Sequence, residues 1–262
     1  MSSDGNYGVV RLSLVPMRSE PADDAEMISQ LLFGEHYHVL EPSEEGWIKI
    51  KNAFDSYEGW IDKKQHHAIS EAYFDQIDSS EYKICTDLIE KILFNQQLSY
   101  VTCGAILPLL NNPIFKDEEN VAFNGASKSL HQKLEVPALI TLAKKYLNAP
   151  YLWGGRSPFG IDCSGFTQVV FRVAGYSLPR DSSQQILKGE EVSLAESEVG
   201  DLAFFTNKNG KMNHVGLLLG DEEVIHASGK VRVDRIDDKG IFNIKQNIYT
   251  HHLFKIKRVI KQ

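Results

Sequence analysis

Cys163 constrains this chain more than any other residue, because a glycine-rich loop precedes it, a helix follows it and two strand-borne histidines lie downstream. The loop reads Tyr151-Leu-Trp-Gly-Gly-Arg-Ser-Pro-Phe-Gly-Ile-Asp162, and from Gly165 to Gly175 the apolar residues Phe166, Val169, Val170 and Val173 repeat at the spacing of one buried helical face. That places Cys163 near a helix N-terminus, where unpaired amides and the positive end of the macrodipole favour thiolate over thiol. The expectation is a nucleophilic thiolate.

Such a nucleophile needs a proton acceptor. His214 lies in Met212-Asn-His-Val-Gly-Leu-Leu-Leu219 and His226 in Val224-Ile-His-Ala-Ser228, both strand-like, with the turn signal Gly220-Asp221 between them. A hairpin would bring the two imidazoles close. A Cys–His pair oriented by a third polar group, whether Asn, Asp or another His, is a known catalytic arrangement.

From about Pro137 onward the chain resembles the NlpC family of bacterial cell-wall cysteine peptidases, which share a papain-like core. Six ordered stretches carry the resemblance: Tyr151 to Gly155, Asp162 to Phe166, Leu178 to Gln184, Gly200 to Phe205, His214 to Gly216 and Ile225 to Ala227. It implies an α+β fold over 134–262, with Cys163 as nucleophile, His214 as general base and acid, and His226 as its orienting partner. It further implies that Tyr151 lies beside the Cys163 amide and supports the oxyanion site, where aimed donors typically contribute a few kcal/mol. Asp162 and Ser164 would line the cleft, and Asp181 and Ser182 would contact a substrate amine.

The resemblance is strongest to the subgroup acting on free L-Ala-γ-D-Glu-diamino acid fragments, so the implied reaction is hydrolysis of the γ-D-glutamyl bond to the diamino acid of a murein tri- or tetrapeptide, in recycling or turnover. In that subgroup the first barrel narrows the cleft; Glu26 and Tyr57, with Glu20 as a substitute, are the expected barrel contributors to the amine site. Three alternatives stay open: a peptidase acting on intact peptidoglycan, an amidase or acyltransferase on the same core, and a wall-binding protein without activity. No cofactor is implied.

Other residues read more plainly. Cys85 and Cys103 are expected in the core, with a disulfide between them open, and Trp153 is expected as a core aromatic. His226 also admits a purely structural role. Asp201 reads as a turn residue before an apolar strand. His36 and His38 would share a strand face, and His66-His67 and His251-His252 are adjacent, but no acidic or Cys cluster completes a ligand set, so no metal is expected.

At 262 residues the chain is long enough for about two domains. Its net charge of −7 argues against a nucleic-acid surface, and no segment approaches a membrane span. The first residues lack an export signal and three Cys are unlike a disulfide scaffold, so the expectation is a cytoplasmic protein, or a periplasmic one if a leader has been removed.

Residues 1–70 alternate in Trp47-Ile-Lys-Ile-Lys51 and place Gly before Trp47 and Trp60, resembling a bacterial Src-homology-3-like barrel. Residues 71–133 read as a second, degenerate barrel, with a short helix or loop at Asp87–Asn95; an insertion of the catalytic domain is the alternative. The expected fold class is therefore a papain-like catalytic domain preceded by one or two small all-β barrels.

Overall fold

The computed structural model describes residues 6–42, 46–107, 121–207 and 209–260. The strand-like run Gly104-Ala-Ile-Leu-Pro-Leu-Leu110 of the sequence lies partly outside the described residues. The chain divides into two compact units, one comprising residues 1–132 with 153–158, the other 133–152 with 159–262.

The first unit opens with seven strands, β1 (Tyr7–Val9), β2 (Leu14–Arg18), β3 (Met27–Leu32), β4 (His36–Pro42), β5 (Trp47–Asn52), β6 (Glu58–Asp62) and β7 (His67–Ala68), in the sheet order β3-β2-β6-β5-β4-β1-β7. The Trp47–Asn52 alternation works as the sequence predicts: Ile48 and Ile50 turn inward to join Val10, Val15, Met17, Leu31, Tyr37 and Ile61, while the lysines between them face out.

Helix α1 (Glu71–Ser79), capped by the Ser70 hydroxyl on the Tyr73 amide, follows and buries Tyr73, Phe74 and Ile77. Strands β8 (Lys83–Cys85), β9 (Ile89–Phe94), β10 (Gln97–Thr102), β11 (Ile106–Leu107), β12 (Val121–Phe123) and β13 (Ser127–Ser129) form two sheets, β10-β9-β12 and β11-β8-β13. The helix or loop expected at Asp87–Asn95 is instead a strand. It pairs in hairpin register with β10 across Asn95 and Gln96, both at positive φ, and cross-strand pairing overrides a helical-looking run. These sheets share a core with the first barrel, since Phe33 packs among Cys85, Ile92, Val101, Ala105 and Leu107. Cys85 and Cys103 are buried and not joined in a disulfide.

Residues 153–158, including β14 (Arg156–Ser157), group with this first unit although their neighbours in sequence do not. A buried ion pair explains it. Arg156 has no exposed surface and donates through Nη1 and Nη2 to the Glu35 carboxylate, at 3.0 Å each, while Nη1 also reaches the Gln30 carbonyl at 2.7 Å. Gly154 sits at φ +75°, where a Cβ would run into the Met27 carbonyl oxygen, so the motif's first glycine permits this close approach.

The second unit carries α2 (Val136–Lys145), β15 (Gly160–Ile161), α3 (Cys163–Val173) and α4 (Ser182–Gln185). It continues with β16 (Glu190–Val192), β17 (Leu202–Thr206), β18 (Met212–Gly220), β19 (Glu223–Ser228), β20 (Lys230–Asp237), β21 (Gly240–Asn243) and β22 (Ile248–Arg258). The antiparallel sheet runs β16-β22-β17-β18-β19-β20-β21, and β21 also pairs with β22, so the sheet closes on itself. Helix α3 packs on β18 and β19. Asp201 is the expected turn residue and more: its carboxylate takes the Glu198 amide and the Arg258 guanidinium.

Removing one partner of a buried ion pair leaves the other charge uncompensated. Glu35→Ala is expected to destabilise the first unit by roughly 3–5 kcal/mol in urea unfolding, and the double change Glu35→Met with Arg156→Met by much less. Equal losses would show that the pair contributes only packing.

Candidate active site

Helix α3 begins at Cys163, with Asp162 as its N-cap accepting the Gly165 amide at 2.6 Å. The thiol is 6% exposed. The backbone amides of Ser164 and Val215 both act to favour its thiolate form, so the sulfur lies near the residue next to His214. The helix-start amides are therefore present as the sequence predicts.

The expected thiolate is not. Burial, with the Asp162 charge behind it, pushes the Cys163 pKa up to about 12, and the two amides and Arg180 offset only part of this. The resting group is a thiol, because a helix terminus acts locally while burial acts on the whole group.

His214 and His226 come together as the hairpin predicts. Gly216 pairs with His226 across β18 and β19, so His214, two residues earlier, shares the face of His226 and meets it diagonally. The imidazoles bond from His214 Nε2 to His226 Nδ1 at 2.8 Å, with planes at 87°. Gly216 leaves the room, since a Cβ there would press on the Val224 and His226 side chains. Register shifts at Phe205/Thr206 against β18 and at Phe204/Phe205 against β22 flank this spot, and such bulges re-aim neighbouring side chains.

Burial, then the neighbouring His226 and His251, hold the His214 pKa well below 6.5. The ring is neutral at neutral pH. Cys163 and His214 thus both rest neutral, as a thiol and an imidazole.

Tyr151 lies close enough to Cys163 and Asp162 for both to act on its hydroxyl, which burial first and these two next push up to about 12; the phenol stays a donor. Asp162 and Ser164 are buried and engaged. Arg180, 1% exposed, donates to both Asp162 oxygens at 3.1 and 2.6 Å and to the Ser164 hydroxyl at 2.9 Å. Gln185 locks the same helix by donating to the Ser164 and Pro179 carbonyls and accepting from Thr167. Asp181 is the half-buried N-cap of α4, and Ser182, also half-buried, is its first residue.

Glu26 and Tyr57 belong to the first unit. Glu26 is exposed and accepts the Trp153 indole N–H at 2.6 Å, while Tyr57 packs against the barrel core. Trp153 is 59% exposed, not the core aromatic expected, because the buried Gly154 beside it takes the close approach to Met27 and the indole finds its partner in the exposed Glu26 carboxylate.

Sequence reasoning missed four residues here. Arg180 stands inside a quoted motif but gave no periodic signal. His251 stacks on His214 with ring centroids 4.2 Å apart and planes at 22°, and Asp234 and Arg232 continue the histidine chain across β20. Only the pairing register could have revealed the last three. No cluster of His, Cys, Asp or Glu among the described residues forms a metal site, and no described helix is long and apolar enough to cross a membrane.

Residues 148–258 match the NlpC/P60 family, and residues 17–65 match the bacterial dipeptidyl-peptidase SH3 domain. The gamma-D-glutamyl-L-lysine dipeptidyl-peptidase of Bacillus subtilis is 30% identical over 259 residues, covering 89% of this chain and 81% of its own. Dipeptidyl-peptidase 6 of Lysinibacillus sphaericus is 27% identical over 267 residues, covering 88% and 92%. The fold matches a crystal structure of an NlpC/P60 family protein from Bacillus cereus, at TM-score 0.80 and 20% identity, over 97% of this chain and 100% of that one.

A buried neutral thiol has a simple signature. Alkylation of Cys163 by iodoacetamide is expected to rise steadily from about pH 5 to about pH 9, whereas a preformed thiolate–imidazolium pair would give an acid plateau.

Proposed function

The chain belongs to the NlpC/P60 family of cysteine peptidases, and on that footing we propose that it hydrolyses the γ-D-glutamyl bond to the diamino acid in free murein peptides of the form L-Ala-γ-D-Glu-diamino acid, releasing L-Ala-D-Glu. The observation that carries this reading is the presence, in one chain, of the dipeptidyl-peptidase type of SH3 domain and of a buried Cys163 that starts the helix packed on the two strands carrying the bonded His214–His226 pair. The names of the relatives in Bacillus subtilis and Lysinibacillus sphaericus point the same way.

In the proposed mechanism the Cys163 sulfur attacks the γ-carbonyl of D-Glu while its proton passes to Nδ1 of His214, the ring nitrogen not engaged with His226. The carbonyl oxygen gains charge beside the helix-start amides and the Tyr151 hydroxyl. The C–N bond breaks as His214 returns the proton to the leaving amine. Water then gives a proton to His214, its oxygen bonds to the acyl carbon, and the proton returns to sulfur as the thioester breaks.

Asp181 is proposed to fix the free ammonium of L-Ala, because a charge-assisted hydrogen bond is roughly twice as strong as a neutral one. Asp162 and Ser164, tied to Arg180, act in this reading by shaping the cleft wall.

Incubation with L-Ala-γ-D-Glu-L-Lys, its diaminopimelate counterpart and intact peptidoglycan, with products identified by mass, tests the reaction. L-Ala-D-Glu is expected from the free peptides and not from polymer. Cys163→Ala and His214→Ala are expected to abolish release. Asp181→Ala is expected to lower kcat/KM on free-amine peptides by on the order of tenfold to a hundredfold while sparing N-acetylated ones. Cleavage of polymer alone, or an unchanged preference in Asp181→Ala, would overturn the substrate assignment.

A further inference from the structure

The His214–His226 pair does not end at His226. In β20, Arg232 pairs with His226 across the strands and Asp234 lies two residues on, so His214, His226, Arg232 and Asp234 share one face of three neighbouring strands. His226 Nε2 lies 3.0 Å from Asp234 Oδ2, and Arg232 Nη2 donates to the other oxygen, Oδ1, at 2.6 Å. Burial works to raise the Asp234 pKa, but hydrogen bonds from His226 and Arg232 outweigh it and hold the group below 3.8. The carboxylate is therefore an anion that only accepts.

We propose that Asp234, itself held by Arg232, is a positioning residue that fixes the tautomer of His226 and through it that of His214. An accepting carboxylate at His226 Nε2 places the proton there, leaving Nδ1 bare. A bare Nδ1 accepts from His214 Nε2, so the His214 proton sits on Nε2. His214 Nδ1 is then the lone-pair nitrogen that takes the thiol proton. When His214 becomes imidazolium, the same chain presents its charge to the Asp234 anion. The inference rests on the roles of Cys163 and His214 proposed above.

The two ends of the carboxylate make a specific prediction. In Asp234→Asn, Arg232 holds the amide oxygen at the Oδ1 position, which turns the amide NH2 toward His226 Nε2. His226 must then carry its proton on Nδ1 and donate to His214 Nε2, leaving His214 protonated on the nitrogen meant to act as base. Asp234→Ala imposes no tautomer. The isosteric change should therefore be more damaging than the truncation, an order that loss of packing would not produce.

Kinetics on L-Ala-γ-D-Glu-L-Lys and imidazole 15N spectra test this together. The expected kcat falls by about tenfold in Asp234→Ala and by on the order of 10²–10⁴-fold in Asp234→Asn, with KM nearly unchanged. Adding Arg232→Met to Asp234→Asn should recover at least about tenfold, since the amide is then free to turn. The spectra should show bare Nδ1 on both His214 and His226 in the wild type, and Nδ1–H on both in Asp234→Asn. Asp234→Asn as active as wild type, or more active than Asp234→Ala at matched thermal stability, would overturn the proposal. So would Nδ1–H on His226 in the wild-type spectrum, which needs neither a variant nor turnover. Full activity in Cys163→Ala would instead sink the peptidase roles, and the wild-type spectrum would still decide the tautomer.

Discussion

In the proposed mechanism the chemistry of the second unit depends on one hydrogen bond, between His214 Nε2 and His226 Nδ1 across β18 and β19. It exists because the pairing sets Gly216 opposite His226, which puts His214 on the same face at diagonal distance, and because a glycine at 216 leaves space for two rings to meet edge on. A slip of one residue would send His214 to the other face. Strand register thus decides whether the proposed base has its partner, and helix α3, which starts at Cys163, packs on the same two strands.

Burial then decides how that pair rests. Cys163 and His214 are both nearly closed to solvent, and desolvation penalises the thiolate and the imidazolium alike. The site keeps its polar groups satisfied through neutral hydrogen bonds and places its full charges one step away, on Asp162–Arg180 and Asp234–Arg232. In the proposed mechanism charge separation is deferred until a carbonyl is present, where helix-start amides and the Tyr151 phenol would meet the developing oxyanion.

What the sequence made legible follows local periodicity. The α3 helix was visible in the spacing of Phe166, Val169, Val170 and Val173, and the histidine hairpin in Gly220-Asp221 between two apolar runs. Both depend on residues close in sequence. The ionisation of Cys163 was not visible, because burial is set by the whole unit and outweighs the helix terminus. His251, Asp234 and Arg232 were equally hidden, since register alone sets Arg232 and Asp234 beside His226, and two β-bulges flank the stack of His251 on His214. Trp153 misled for a related reason: read as a plain core aromatic, it lies outward on Glu26 while Gly154 beside it approaches Met27. Strand Ile89–Phe94 shows the same limit in the first unit, where pairing with β10 and β12 overrode the local pattern.

The central claim is that thiol and imidazole rest neutral and exchange a proton only in the reaction. A pH titration of the His214 ring nitrogens by 15N magnetic resonance tests it most directly. The account predicts an imidazole that is neutral at neutral pH and gains its proton only well below the ordinary value of 6.5. A ring that titrates near the ordinary value of 6.5, or that is already cationic at neutral pH beside a Cys163 thiolate, would contradict it.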